Sequence, residues 1–331
     1  MALWPFTRRE KPGAGGTTLF FASDLHGSEI CFRKFLNAAK FYEADLLVLG
    51  GDIAGKLVLP IVEEAGGRFR ATLHGEPRLL EKAAVPEFER EAANLGFYTR
   101  HFTPDEIAHY KANPDQVETM FEAAILDRMA RWIEMAEAKL AGSDVTIVFA
   151  PGNDDPHVMD QWLKDRASPR FRMAEGEILE VAPGHEMLVT GYTNVTPWNT
   201  PREYSEAEIA AHIETMAARL KDPATAIFDI HVPPYDSRLD TAPVVGQDLK
   251  VKTSLGAQLT QPVGSTAVAE ALRKYQPLLS LHGHIHESGG TVKIGRTVAI
   301  NPGSEYGEGI LRGVVLSIGE GRILRRQMTQ G

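Results

Sequence analysis

The chain has 331 residues, 43% of them hydrophobic, and a formal net charge of -9. That supports a packed core in one large domain or two smaller ones, and the acidic balance argues against a sequence-independent nucleic-acid binder, which wants a basic surface. A single cysteine, Cys31, excludes an intrachain disulfide, and no apolar run approaches the length of a membrane span, so a soluble, cytoplasmic protein is expected.

Residues 1–16 lack the apolar stretch of a secretory signal and end in a Gly-rich run, which reads as a disordered tail. From residue 17 onward, short runs rich in Val, Ile, Leu and Phe recur at 17–23, 45–50, 144–152, 186–192, 225–231 and 278–284. Runs of this length and apolarity predict strands buried on both faces. Helical spacing appears between them at 29–43, 115–140, 205–220 and 265–277. Ser205 and Glu208 have the spacing of a capping box, and Pro277 closes the last helix. Strands alternating with helices predict a layered α/β fold. The stretch 297–328 reads as strands without helices. Residues 56–114 are more polar and show no clear strand of their own, so they are expected to form a lid or small subdomain inserted over the crevice.

In such folds, polar residues at the carboxyl ends of strands gather in one crevice. Here those tips read "SDLHG" with Asp24 and His26, "GGD" with Asp52, "GND" with Asn153 and Asp154, "DIHVPP" with His231, and "LHGHIHE" with His282, His284 and His286. Residues two apart at an extended strand end face one side, so Asp24 and His26 can serve one centre, and His284 and His286 can converge on one region. Imidazole and carboxylate suit Zn²⁺, Fe, Mn²⁺, Ni²⁺ or Co²⁺. Each tip alone is an ordinary turn. Five in one chain, each beside a glycine or proline, predict a metal centre.

The order D-x-H, G-D, G-N-acidic, H and G-H-x-H resembles the calcineurin-like metallophosphoesterase superfamily, and "INPGS" (300–304) resembles its closing segment. The likeness spans roughly 17–328. It implies a four-layer α/β/β/α sandwich with two divalent ions (Mn, Fe, Zn, Co or Ni) between the sheets. By motif, Asp24, His26 and His286 would hold the first ion, Asp52 would bridge, and Asn153, His231 and His284 would hold the second. His282 falls outside the motif and reads as structural. The implied activity is hydrolysis of a small-molecule phosphoester, a phosphodiester or activated aryl ester, by a hydroxide between the metals. A non-catalytic scaffold binding protein partners, or a nuclease of the same superfamily, are the alternatives.

One position departs from the pattern. Phosphatases of the superfamily carry "GNH", whereas this chain has "GNDDP", with Asp154 in place of His. Burial and nearby negative charge raise a carboxyl pKa, so Asp154 is a candidate proton donor alongside Asn153. Its alternative reading is a hydrogen bond to Asn153 or the turn. Asp155, before Pro156, reads as a turn former. Arg68, Arg70, Arg78, Arg100 and Arg202 are candidate cations for the substrate, and Trp198 and Tyr204 are candidate stacking surfaces.

Overall fold

The structure, a computed structural model, describes residues 16–246, 250–254 and 256–331. The expected N-terminal tail lies outside the described residues, except for Gly16.

Two six-stranded sheets form the centre. In the first, Thr17–Ala22, Leu46–Gly50, Thr146–Ala150 and Phe171–Met173 run parallel, and the antiparallel strands Arg312–Gly319 and Arg322–Gln330 extend it beyond Thr17–Ala22. In the second, His185–Thr190, Ile227–Ile230, Leu279–Leu281 and Thr297–Asn301 run parallel. Antiparallel strands Ile178–Ala182 and Gly290–Ile294 close its two edges.

Strand alternation explains why the runs look uniformly apolar. Leu19, Phe21, Val48 and Val148 meet Met187, Ile227, Leu281 and Ile300 between the sheets. The intervening residues Phe20, Leu47, Leu49 and Phe149 point the other way, onto helices α1 (Glu29–Phe41) and α4 (Asp115–Lys139). There Phe32 and Trp132 stack with centroids 4.0 Å apart. Leu188, Phe228 and Ile230 likewise cover α6 (Glu206–Ala217) and α7 (Thr266–Tyr275). The result is a four-layer α/β/β/α sandwich, with both faces of the central strands buried. The Ser205–Glu208 capping box forms at the start of α6.

The segment 56–114 carries strands that its sequence does not announce. It contains a four-stranded sheet of Val58–Glu64, Arg68–Leu73, Glu76–Glu81 and Tyr98–Phe102, with α2 (Val85–Asn94) and α3 (Pro104–Ala112). Leu59, Ile61, Leu73, Val85 and Phe88 give it a small core of its own. It is fastened to the sandwich at the strand tips. Ser28 Oγ donates to the Asn94 carbonyl at 2.6 Å, and buried Arg128 donates to the carbonyls of Gly27 and Phe97. At Gly96, a side chain would place its Cβ 2.1 Å from the His26 carbonyl oxygen, so only glycine permits this approach.

Candidate metal centre

The strand tips converge as the parallel topology demands. Asp24 and His26 follow the first strand, Asp52 the second and Asn153 the third, all in the first sheet. His231, His284 and His286 come from the facing tips of the second. Asp24, His26, Asp52 and His284 all have positive φ, at 56°, 43°, 49° and 66°. Non-glycine residues there cost about 1–3 kcal/mol each and collect where function over-determines the backbone.

Two groups of ligand-type atoms result. Asp24, His26 and His286 form one: His286 Nε2 lies 3.1 Å from His26 Nε2 and 3.4 Å from Asp24 Oδ1. Asp52, His231 and His284 form the other, with His231 Nε2 3.4 Å from Asp52 Oδ1. Asn153 belongs beside it, its Oδ1 2.7 Å from His284 Nδ1. Asp52 stands between the groups. Its Oδ1 faces His231, and its Oδ2 lies 3.6 Å from His26 Nε2. A third convergence, of His26, Asp52 and Asp154, adjoins them.

The surroundings hold these atoms ready for a cation. His231 Nδ1 donates to the Gly50 carbonyl at 2.8 Å, which turns Nε2 inward, and that buried Nε2 has no hydrogen-bond partner. The backbone amide of His284 donates to both oxygens of Asp24. At Gly152, a Cβ would lie 2.3 Å from Asp52 Oδ1 and 2.7 Å from His231 Nε2. Charge points the same way. Burial alone would raise both carboxyls, but neighbouring imidazoles hold Asp24 down at about 2 and Asp52 well below its usual range. Burial would lower His231, yet the Asp52 and Asp24 carboxylates lift it to about 10. Two buried carboxylates thus demand positive charge between the sheets, and the donor set of carboxylate, imidazole and amide oxygen fits a divalent metal.

The predicted residues divide by role. Asp24, His26, Asp52, Asn153, His231, His284 and His286 are brought together. His282 is turned away: Nδ1 donates to the Ile230 carbonyl, and Nε2 lies 2.8 Å from Ser280 Oγ. Asp155 is fully buried and accepts from the amides of Ile53, Ala54 and Gly152, joining the second and third tips. In "INPGS", Asn301 donates to the carbonyls of Gly283 and Ile285, and Ser304 Oγ donates to that of Asp24.

Asp154 reaches the centre paired with Lys56, and its Oδ1 accepts from Asn153 Nδ2. Its Oδ2 lies 2.5 Å from Lys56 Nζ and 3.7 Å from His26 Nδ1. Burial and Asp52 lift its carboxyl to about 6, while the Lys56 ammonium pulls it down. The five arginine side chains are engaged elsewhere or lie away from the ligand groups, and Arg202 meets Asn153 only through its backbone amide, 3.4 Å from the Asn153 carbonyl. Arg202 is buried and bidentate on Asp160 of α5 (Val158–Lys164), and its Nε donates to the Asp155 carbonyl. Arg70 and Arg78 pair with Glu64 and Glu91, and Arg100 lies over Phe102 and Tyr110. Lys56 was missed, as was Tyr306, whose ring lies 4.6 Å from that of His26 and 5.9 Å from that of His286. Tyr204 stacks on Tyr192, while Trp198 is exposed on the loop whose Thr200 accepts from Asn153 Nδ2.

No family model matches the chain. An uncharacterised protein of Methanocaldococcus jannaschii, MJ1162, is 26% identical over 204 residues, which are 60% of this chain and 82% of that one. One solved structure at 18% identity covers 95% of this chain and 99% of its own, with a TM-score of 0.52. TT1561 of Thermus thermophilus, at 14% identity, covers 92% of this chain and 98% of its own, with a TM-score of 0.51. The chain shares their fold. Among the described residues, no helix is long and apolar enough to cross a membrane.

Proposed function

We propose that this chain is a binuclear metal-dependent phosphoesterase of the calcineurin-like superfamily, acting on phosphodiesters and activated aryl phosphoesters. The observation that carries this reading is the position of Asp52, which presents one carboxylate oxygen to each of two groups of ligand-type atoms. Asp24, His26 and His286 would hold one divalent ion, and Asn153, His231 and His284 the other. When bound, such a pair supplies positive charge to the phosphoryl oxygens and lowers the pKa of water toward neutrality.

The chain's own residues do the rest. The Gly50 carbonyl fixes the tautomer of His231. Asn153 offers an oxygen without adding charge, so the second site keeps its electron demand. Asp155 locks two of the loops that carry ligands. In place of the superfamily's histidine, Asp154 is engaged in an ion pair with Lys56. Esters whose departing oxygen needs little protonation are therefore the favoured substrates.

The test is a panel of phosphoesters run with metal-free protein reconstituted separately with Mn²⁺, Fe²⁺, Co²⁺, Ni²⁺ and Zn²⁺. Hydrolysis of nitrophenyl diesters well above alkyl monoesters is expected. Equal rates on both would overturn the substrate preference, and no hydrolysis with any metal would overturn the enzyme reading.

A further inference from the structure

We infer that Lys56 grips the anionic phosphoryl group of the substrate, with Asp154 as the positioning residue that holds its ammonium at the mouth. The inference rests on the phosphoesterase reading above, and it concerns the one position where the chain departs from the sequence pattern.

Four observations converge. Both ends of Lys56 are fixed. On one side, the amides of Ile53 and Ala54 donate to Asp155, and the Gly55 amide donates to Tyr98 Oη at 2.8 Å. At the other end, Nζ lies on Asp154 Oδ2. Asp154 is itself fixed, because its amide donates to Asp52 Oδ1 at 2.9 Å and its Oδ1 accepts from Asn153 Nδ2. Asp154 is turned inward, only 15% exposed and joined to His26 and Asp52, while Lys56, 52% exposed, stands on its solvent side. Finally, the other ion pairs and hydrogen bonds given for arginine side chains, as at Arg70, Arg78 and Arg202, lie away from the ligand groups.

An ordinary surface ion pair contributes little and holds no fixed geometry. This one is mounted on loops that also carry ligands. An ammonium has three donors, and Asp154 uses one, so two remain for an incoming anion. The charge balance requires it. Asp154 alone would repel a phosphoryl group arriving at the mouth, whereas Lys56 neutralises that charge and leaves two N–H donors for the anion.

The experiment uses Mn²⁺-loaded protein and inorganic phosphate as the probe, with binding followed by calorimetry for wild type, Lys56→Met, Lys56→Arg, Asp154→Asn and the double variant. Steady-state hydrolysis of bis(nitrophenyl) phosphate is measured in parallel. Lys56→Met is expected to weaken phosphate binding roughly 10- to 100-fold, the scale of a hydrogen bond to a charged group. It should raise KM similarly while kcat changes less, and Lys56→Arg should recover most of the loss, since guanidinium also binds phosphate. In the Asp154→Asn background, Lys56→Met should cost less, because the ammonium is no longer held. Unchanged phosphate affinity and KM in Lys56→Met overturn the inference while wild-type turnover leaves the enzyme reading standing. Strictly additive effects of the two substitutions overturn the role of Asp154. A wild type that hydrolyses no phosphoester, yet loses phosphate binding in Lys56→Met, supports the anion grip and overturns the phosphoesterase reading instead.

Discussion

The two halves of the candidate centre are built differently. The half around His231 lies in the seam between the sheets. The His231 side chain is 0% exposed, its Nδ1 is committed to Gly50, and glycines at 51 and 152 press backbone against it. The half around His286 lies toward the mouth. The His286 side chain is 29% exposed; Tyr306, from a one-turn 3₁₀ helix, faces it, and the loop residues Lys56 and Asp154 lie beside its partner His26. Depth gives the first half rigidity, and access gives the second its contact with solvent and substrate. Asp52 couples the two, so the sharpest way to break the distinction is to remove that coupling.

Asp52→Asn is expected to have the largest effect. The amide keeps the shape but cannot offer a charged oxygen to both groups. Metal content should fall below two ions per chain by elemental analysis, and hydrolysis should drop on the order of 10³-fold, the scale of losing one preorganised electrostatic contact. Chelation of the wild type should abolish turnover and lower the melting temperature, because Asp24 and Asp52 then lose the charge that balances them in a buried site.

Single histidine variants come next and separate the halves. His231→Ala and His286→Ala should each weaken one ion, by more than the ~10–100-fold typical of losing a residue that only supports a ligand. Calorimetric metal titration should show the deeper site suffering more in His231→Ala, with a fall in unfolding stability that His286→Ala does not share. Equal stability losses would erase the contrast between seam and mouth.

Gly51→Ala tests the seam without touching a ligand. Gly51 has φ +116°, and a Cβ there would lie 2.1 Å from His231 Nδ1. Strain and displacement of the ring should together cost more than about 1 kcal/mol in urea unfolding, with weaker binding at the deep site.

What the sequence made legible follows the same division. The central strands stood out because both their faces are buried, so a run such as 45–50 carries almost no polar residue. The ligands stood out because strand tips in a parallel arrangement must converge. The inserted sheet stayed hidden because its strands are half exposed: "EPRLLE" and "YTRHF" alternate charge with apolar residues and lack an apolar run. The role of Lys56 depends on an ion pair to a loop far along the chain, which no local pattern encodes. Arg202 misled for the converse reason. A buried arginine reads like an exposed one until its carboxylate, Asp160, is seen. The three histidines of "HGHIH" differ only in where the backbone turns, which the left-handed residue His284 decides.

The smallest effect probes the mouth through a single hydroxyl. Ser304 Oγ donates to the Asp24 carbonyl at 2.7 Å, and the Ser304 amide donates to the His286 carbonyl at 3.1 Å, so one residue ties two members of the outer group by their backbones. Asp24 has a left-handed backbone whose amide donates to the Gly51 carbonyl at 2.9 Å, so the Ser304 hydroxyl is the tie on its carbonyl side. Ser304→Ala removes the hydroxyl and leaves the amide contact, which should cost about 1 kcal/mol in unfolding stability. Freed from its tie, the Asp24 backbone can relax, and the outer ion should bind a few-fold more weakly, on the order of what 1 kcal/mol allows. The deep site, with no contact to Ser304, should keep its affinity. Competitive metal titration with a chromophoric chelator resolves the two steps. If both weaken together, the halves are one mechanical unit and the depth of His231 confers no independence.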